Sequence, residues 1–225
     1  MKEKTNLTML CDFYELTMGN GYFQTGLGER ICYFDVFFRS VPDQGGFAIA
    51  AGLAQVIEYI QKLRFDEEDI AYLRSKGCFA EPFLDYLRQF RFTGDIWAVP
   101  EGTPIFPGEP ILTVRAPAIQ AQFIETFVLL CLNHQSLIAT KSNRIVRAAE
   151  GRPIFCFLHY PPLYQGYQCP EILSLLEAYK VELCCYGHLH GPVIRRRQEG
   201  KYGNTEFSLI SGDYLGFVPK KICEK

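Results

Sequence analysis

The sequence predicts an α/β protein in which two partial domains meet at one strand. Segments with helical periodicity alternate with short apolar runs that are typical of strands. The longest helical segment is followed by the apolar run Ile154–Leu158, which lies between Pro153 and Pro161 and suits a short buried strand. Hydrophobic residues make up 48% of the 225 residues, which is enough for a packed core.

The part of the chain before this strand is predicted to form helices around short strands. Apolar residues recur at three- and four-residue steps from Leu7 to Phe23, which predicts an amphipathic helix. Aromatic and β-branched residues from Ile31 to Phe38 predict a strand. Asp66 is expected to cap a helix at its positively polarised end. The further predicted elements are the strands Phe47–Ala50, Ile96–Val99, Ile105–Phe106 and Ile111–Val114 and the helices Leu53–Leu63, Ile70–Ser75 and Phe83–Phe90.

The longest periodic segment runs from Ile119 to Ala148, with apolar residues on one face at helical spacing. One continuous helix and two helices are both compatible with this pattern. If there are two, we expect the break near Asn133–Gln135.

Charge, cysteine content and the N-terminal sequence together indicate a soluble cytoplasmic protein. The formal net charge is −2, and the one basic cluster, Arg195–Arg197, is typical of a solvated turn, so we expect no nucleic-acid partner. The nine cysteines lack the spacing of a disulfide scaffold and are interpreted as reduced thiols. The first residues, Met1–Leu10, lack the apolar core of a signal peptide, and the longest apolar run, Phe127–Leu132, is too short to span a membrane.

Five segments before the strand, in this order, are similar to the N-terminal part of nicotinate phosphoribosyltransferases. They are CDFYELTMGNGYF at Cys11–Phe23, YFDVFFRSVP at Tyr33–Pro42, GGFAIAAGL at Gly45–Leu53, VPEGTPIFPGEPILTVRAP at Val99–Pro117 and NHQSLIATKSNRIVRAA at Asn133–Ala149. The resemblance implies the substrates nicotinate and phosphoribosyl pyrophosphate, assistance by Mg and ATP, and a homo-oligomer. It also implies an α+β domain of sheet and helices that leads into the first helices of a type II phosphoribosyltransferase barrel.

The resemblance suggests four substrate-binding residues. Tyr14 matches the tyrosine that lines the nicotinate pocket in the family, although a tyrosine with a buried ring and a wet hydroxyl would look the same in sequence. Lys141, Arg144 and Arg39 are candidates to present cations to a phosphate. On spacing alone, Lys141 and Arg144 also suit the polar edge of a helix.

The resemblance to the transferases ends at Gly151–Ile154, where the family's barrel would continue. The arginine pair and the later phosphorylated histidine of the family have no counterpart beyond this point. We therefore expect the catalytic residues to be largely missing and the transferase activity of this chain to be weak or absent.

The remaining segment resembles the C-terminal part of calcineurin-like metallophosphoesterases. The similar stretches are FCFLHYPPL, a predicted helix Glu171–Tyr179, VELCCYGHLHG and FSLISGDYLGFVP. The resemblance implies an α/β sandwich fragment, with His159 and His188 as ligands of one Mn, Fe or Zn ion and His190 as a ligand of a second. If the backbone is extended here, His188 and His190 face one side. The carboxylates that would bridge the two metals are not found upstream, so this site is expected to be incomplete.

These observations define two predicted domains and three functional hypotheses. The predicted domains are residues 1–152, transferase-like, and residues 153–225, phosphoesterase-like. The preferred function is that of a nicotinate phosphoribosyltransferase homologue of NAD salvage, and the alternative is a two-metal phosphoesterase. The third hypothesis is a non-catalytic chimeric remnant that exposes apolar surface and therefore self-associates.

Overall fold

A computed structural model describes residues 6–41 and 45–222 of the chain. The contacts between residues divide it into two compact units, of which the first ends at Arg144 and the second begins at Ile145. This division lies within a long helix, upstream of the boundary expected from sequence. The prediction about a signal peptide concerns residues 1–10, of which residues 1–5 lie outside the described part of the chain.

The helices of the first unit follow the predicted periodicity, with shifted ends. The first helix begins at Phe13 and not at Leu7, because Asp12 has an extended backbone and residues 7–10 form a turn. The third helix is capped as predicted, since the Asp66 side chain accepts hydrogen bonds from the backbone of Glu68 and Asp69. The helices before residue 118 are α1 (Phe13–Gln24), α2 (Leu53–Lys62), α3 (Glu67–Ser75) and α4 (Glu81–Arg88).

Five strands of the first unit form two small antiparallel sheets. The central strand of the larger sheet alternates buried and half-buried residues, as expected for a strand with one face on a core. Its Val114 lies opposite Phe34 on one neighbouring strand and opposite Ile96 on the other, so these three side chains lie on the same face of the sheet. The strands are β1 (Ile31–Val36), β2 (Ala48–Ile49), β3 (Asp95–Ala98), β4 (Pro104–Ile105) and β5 (Leu112–Pro117), ordered β1-β5-β3 and β2-β4.

A cluster of aromatic rings fills the core of the first unit. Phe83 on α4 is fully buried, and its ring lies 5.8 to 6.5 Å from the rings of four neighbours, centroid to centroid. Such pairs add stability beyond the apolar area that they bury. The four neighbours are Phe23, Phe79, Tyr86 and Phe123.

The long periodic segment forms two helices, α5 (Ala118–Phe123) and α6 (Glu125–Ala149). The expected position of the break was wrong, because Asn133–Gln135 lies inside α6 and the break is at Ile124. The Glu15 carboxylate of α1 explains this position. It accepts hydrogen bonds from the backbone nitrogen and the hydroxyl of Thr126 at 3.1 and 2.5 Å, and so caps the first turn of α6.

The combined stretch Ala118–Ala149 is long and apolar enough to cross a membrane by length and composition. Core helices of soluble proteins meet the same criteria, and a third of its most apolar segment (33%) is buried inside the protein. A cytoplasmic location therefore remains a prediction.

The second unit contains a four-stranded sheet with one helix and one 3₁₀ helix. Strands β6, β9 and β11 are parallel, and β10 joins the edge antiparallel to β11. The elements are β6 (Phe155–Leu158), β7 (Leu163–Tyr164), β8 (Tyr167–Gln168), α7 (Pro170–Ala178), β9 (Leu183–Tyr186), the 3₁₀ helix Gly191–Arg196, β10 (Gly200–Tyr202) and β11 (Thr205–Leu209), with the sheet order β10-β11-β9-β6 and a separate β7–β8 hairpin.

The core of the second unit is smaller and centres on Tyr186 at the end of β9. Its ring is fully buried, and its hydroxyl donates to the Gln198 carbonyl at 2.5 Å and accepts from the Gln198 backbone nitrogen at 3.1 Å. Phe207 and Leu209 of the neighbouring β11 belong to the same core. The buried tyrosine therefore satisfies its polar atom locally and links β9 to the segment before β10.

Candidate functional site

Two of the four predicted substrate-binding residues line one cavity of the first unit. The cavity has a volume of about 470 Å³, which is within the range of ligand pockets. Its wall combines Tyr14 from the start of α1, Arg39 from the segment after β1, and Glu125 and Asn133 from α6. Two helices and one sheet therefore contribute to the same cavity.

Tyr14 enters this cavity as a protonated phenol. Partial desolvation, a hydrogen bond with Glu125 and the negative charges of Glu125, Glu15 and Asp12 together raise the pKa of Tyr14 to about 12. At neutral pH its hydroxyl is thus a hydrogen-bond donor, and its ring offers an aromatic face beside it.

Glu15 follows Tyr14 in the sequence, is fully buried and bonds to Thr126 at the start of α6. Its Oε1 accepts both hydrogen bonds from Thr126, whereas its buried Oε2 has no hydrogen-bond partner among the described residues. Burial raises the pKa of Glu15 to about 7, against the lowering effect of the Thr126 hydrogen bonds, and Glu125 and Asp12 add to the rise. Glu15 therefore links α1 to the start of α6, and its partner Thr126 lines the cavity.

Arg39 is held at the cavity by the backbone of its own segment. Gly108 donates its backbone N–H to the Phe38 carbonyl at 2.8 Å, and Ile111 donates to the Val36 carbonyl at 2.8 Å. These bonds continue the β1–β5 pairing past the end of β1. An exposed guanidinium thus follows a fixed strand end.

Lys141 and Arg144 lie further along α6 and are not among the residues that line this cavity. Lys141 is exposed. The Arg144 guanidinium donates to the Phe47 carbonyl at 3.3 Å and lies against Gly45, where a β-carbon would come within 1.6 Å of its Nη2. The structure therefore brings Tyr14 and Arg39 to one cavity and leaves Lys141 and Arg144 outside it.

Two of the three candidate histidines of the second unit contact each other, and the third contacts an aspartate. His159 and His188 follow the carboxyl ends of the parallel strands β6 and β9, and His159 Nε2 lies 3.2 Å from His188 Nδ1. His190 Nδ1 instead lies 2.8 Å from the Asp213 carboxylate. The expected extended backbone across these residues is interrupted, because His188 is left-handed with φ 67°.

The pair of adjacent imidazoles has the spacing of two ligands on one metal ion. Two nitrogens on a tetrahedral metal lie about 3.3 Å apart when each bond is about 2.0–2.1 Å long. The His159–His188 distance of 3.2 Å is close to this value. Within residues 6–41 and 45–222, however, no group of three or more His, Cys, Asp and Glu residues is arranged to hold a metal. The donor set therefore does not fit a two-metal centre.

A comparison of the sequence with models of known protein families shows the family of this chain. The family model described as the nicotinate phosphoribosyltransferase (NAPRTase) N-terminal domain matches residues 9–133, which include Tyr14, Arg39 and the start of α6. The chain belongs to the nicotinate phosphoribosyltransferase family. The matched region contains most of the first unit and every residue named above as lining its cavity.

Relatives and a solved structure agree with this assignment. The chain is 46% identical over 149 residues to a nicotinate phosphoribosyltransferase of Mycobacterium tuberculosis, covering 66% of this chain and 32% of that protein. It is 40% identical over 140 residues to the Bacillus subtilis enzyme, covering 62% of this chain and 29% of the relative. The crystal structure of human nicotinic acid phosphoribosyltransferase superimposes with a TM-score of 0.60 and 32% identity, over 69% of this chain and 31% of that one. This chain thus spans about a third of the length of the nicotinate phosphoribosyltransferases that it matches.

Several residues of the two sites were not among the sequence candidates. Asp12 and Glu125 line the first cavity, and Asp213 pairs with His190 in the second unit. Asp12 lies inside the first transferase-like segment and Asp213 inside the last phosphoesterase-like segment, so the segments contained the signal. Glu125 had no such signal, because a glutamate in the first turn of a helix is ordinary.

Proposed function

We propose that this chain carries the nicotinate-binding part of a nicotinate phosphoribosyltransferase of NAD salvage. The observation that carries the proposal is that Tyr14 and Arg39 line one cavity within the matched family domain. Nicotinate is a flat ring with a carboxylate, so an aromatic face and a guanidinium are the groups that recognise it. Tyr14 would contact the ring, and Arg39 would pair with the carboxylate.

The transfer of a ribosyl group makes further demands. The bond to pyrophosphate loosens as positive charge develops on the ribose, so the reaction needs donors for the leaving group as well as a held base. In the first cavity, Arg39 is the one guanidinium among the described lining residues. We therefore propose that the chain binds nicotinate but transfers phosphoribosyl groups weakly or not at all.

Mg and ATP are part of the same proposal. Mg²⁺ is usually held by one or two carboxylates together with substrate phosphates. Asp12 and Glu125 supply carboxylates at the cavity, so the donor type fits, and these two residues would hold the ion. The bound ion would supply positive charge to the pyrophosphate group.

The binding step is tested by titrating the full chain with nicotinate and with nicotinamide. The uncharged amide lacks the carboxylate, so Arg39 should favour nicotinate. Arg39→Gln should remove most of this preference, about tenfold or more in Kd, while the control Arg64→Gln should keep it, because Arg64 is exposed and does not line the cavity. Equal affinity of the unmodified chain for the two ligands would contradict the proposal.

The transfer step is tested separately with nicotinate, phosphoribosyl pyrophosphate, Mg and ATP. We expect bound nicotinate and little nicotinate mononucleotide. Clear turnover by the purified chain would show that the described residues suffice for the pyrophosphate group. Absence of nicotinate binding would instead remove the binding proposal.

For the second unit, we propose a relationship to calcineurin-like metallophosphoesterases. The spacing of His159 and His188 at the ends of adjacent parallel strands favours it. With two imidazoles and no third described ligand, we expect one weakly held Zn, Mn or Fe ion and no two-metal hydrolysis of a phosphate ester. Metal analysis after dialysis against Zn²⁺ should give at most one equivalent that His188→Ala removes. Two tightly held equivalents and hydrolysis of an aryl phosphate would favour the complete phosphoesterase.

We also propose that the chain self-associates. Both a homo-oligomeric transferase and a non-catalytic remnant are expected to do so. Leu130 and Ile138 on α6 are more than half exposed, at 54% and 52%. Apolar helix surface of this kind is commonly covered by a partner. Light scattering on the full chain should show a homo-oligomer or aggregate. A monomer that binds nicotinate would exclude the remnant hypothesis.

A further inference from the structure

The second unit contains a cavity of about 650 Å³ that the transferase proposal does not use. Four structural pieces form its walls: the loop after β6 with Tyr160 and Pro161, the β7–β8 hairpin, the 3₁₀ helix and the loop that carries His188 and His190. The hairpin and the 3₁₀ helix are joined, because Gln165 donates its backbone N–H to the Arg196 carbonyl at 2.8 Å and Tyr164 forms a β-bridge with Arg197. The cavity is therefore a fixed feature of this unit.

The side chains of the cavity are mainly aromatic. The rings of Tyr164 and Tyr167 stack with centroids 5.0 Å apart, and the ring of Tyr160 lies 4.3 Å from that of His188. Tyr160 is 65% exposed and Tyr167 is 45% exposed, so ring surface is open to a ligand. Flat aromatic molecules bind to such surfaces by stacking.

A cation lies beside these rings. Arg197 is engaged elsewhere, since it pairs with Glu199 at 2.9 Å and lies over the Tyr214 ring. Arg196 lines the cavity, and no described carboxylate is within ion-pair distance of it. Asp213, which follows β11, already accepts hydrogen bonds from His190 and from the Gly191 backbone, both at 2.8 Å. The cavity thus offers a guanidinium and imidazoles to an anion.

We propose that this cavity binds a small ligand that carries a flat aromatic ring and a phosphate group, as a nucleoside monophosphate does. The ring stacks on the tyrosines, and Arg196 pairs with the phosphate, because a guanidinium matches two phosphate oxygens at once. The inference is independent of the transferase function. It rests on the lining of this cavity and not on the proposed relationship to phosphoesterases.

The test is calorimetric titration of the full chain with AMP in the presence of EDTA, compared with adenosine, ribose 5-phosphate and inorganic phosphate. AMP should bind more tightly than each of the three, because it alone uses both the rings and the cation. Arg196→Gln should weaken AMP binding by about tenfold or more. Arg195→Gln is the matched control, since this neighbouring exposed arginine does not line the cavity, and it should leave the affinity unchanged.

A second measurement keeps the result independent of how the variants fold. The chain has four histidines, and AMP should shift the ring-proton resonances of His188 and His190 but not that of His134 on α6.

The contribution of the rings is tested by Tyr167→Ser. This variant should weaken AMP binding by about two- to tenfold through lost stacking.

Three outcomes would overturn the proposal: equal binding of AMP and ribose 5-phosphate, equal losses in Arg196→Gln and Arg195→Gln, or AMP binding that Arg39→Gln abolishes and Arg196→Gln does not. Because metal is removed, a chain that hydrolyses no ester and holds no metal can still pass this test. Failure here therefore leaves the metal proposal to be judged by its own experiment.

Discussion

The two units assemble their candidate sites in different ways. In the first unit, Tyr14, Arg39 and Glu125 come from distant parts of the sequence and meet because helices and a sheet pack around a large aromatic core. In the second unit, the cavity residues lie in short loops, a hairpin and a 3₁₀ helix beside a small, mainly parallel sheet. A site of the first kind depends on the packing of the whole unit, whereas a site of the second kind depends mainly on strand ends and local turns.

The two units also differ in how deeply they bury ionisable side chains. The first unit buries the Glu15 carboxylate completely and uses it to join two helices. The polar pair His190–Asp213 of the second unit is partly open to solvent, at 62% and 34% side-chain exposure. Changes in the first unit should therefore affect stability strongly, and changes near the second site should affect binding more than folding.

Phe83→Ala should destabilise the chain most, because it empties the centre of the aromatic core. Truncation of a fully buried phenylalanine costs about 3–5 kcal/mol of unfolding free energy. Phe207→Ala in the second unit is the matched change, with one ring neighbour at 6.3 Å instead of four, and should cost less. Denaturant unfolding followed by hydrogen exchange in each unit measures both. A larger loss of unfolding free energy for Phe207→Ala would contradict the conclusion that the first core depends more on its aromatic centre than the second.

The next effect is a dependence on pH that comes from Glu15. Its pKa is raised to about 7 in the folded chain, above its value of about 4.5 when unfolded, so folding favours the protonated form. The stabilisation is complete below about pH 4.5 and is lost as the pH rises through about 7. Between pH 5 and 8, unfolding free energy should fall on the order of 2–3 kcal/mol more in the unmodified chain than in Glu15→Gln.

Glu58→Gln is the control for Glu15, because Glu58 is exposed and Lys62 lowers its pKa. Urea unfolding at several pH values, followed by the fluorescence of the single tryptophan, Trp97 of the first unit, provides the measurement. Parallel pH profiles for Glu15→Gln and the unmodified chain would show that the buried carboxylate is not what distinguishes the first unit.

A smaller effect is expected in the second unit from Tyr186→Phe. This change removes the hydroxyl that bonds twice to the Gln198 backbone, which costs about 1 kcal/mol because these partly buried groups can bond to water instead. Tyr179→Phe should cost nearly nothing, because Tyr179 is 63% exposed. Hydrogen exchange in β9 should rise in the first variant and not in the second. Equal behaviour of the two would mean that Tyr186 does not hold this sheet.

The smallest effect concerns a local feature of the first unit, the cap of α3. Asp66→Ala removes the capping box of α3 and should cost about 1 kcal/mol. Asp85→Ala removes only a surface partner of Arg88 and should cost less than about 1 kcal/mol. Urea unfolding of both variants at the same pH and salt concentration tests the difference. A larger loss for Asp85→Ala would contradict the assignment of the cap.

Features that depend on neighbouring residues were predictable from the sequence. The periodicity of α2 and α4 and the cap at Asp66 follow from local patterns, and the five ordered segments were enough to indicate the family. The end of a helix was less predictable. The break at Ile124 depends on the Glu15 carboxylate of α1, which lies 111 residues before its partner Thr126 and which no local pattern reports.

The family of the first unit and the residue types of both candidate sites follow from the sequence. Which of those residues meet depends on the tertiary structure. It brought Tyr14 and Arg39 to one cavity, left Lys141 and Arg144 outside it, and paired His159 with His188 but His190 with Asp213. The physical reason is that periodicity and motifs depend on residues a few positions apart, whereas a site depends on packing between segments that are far apart in the chain.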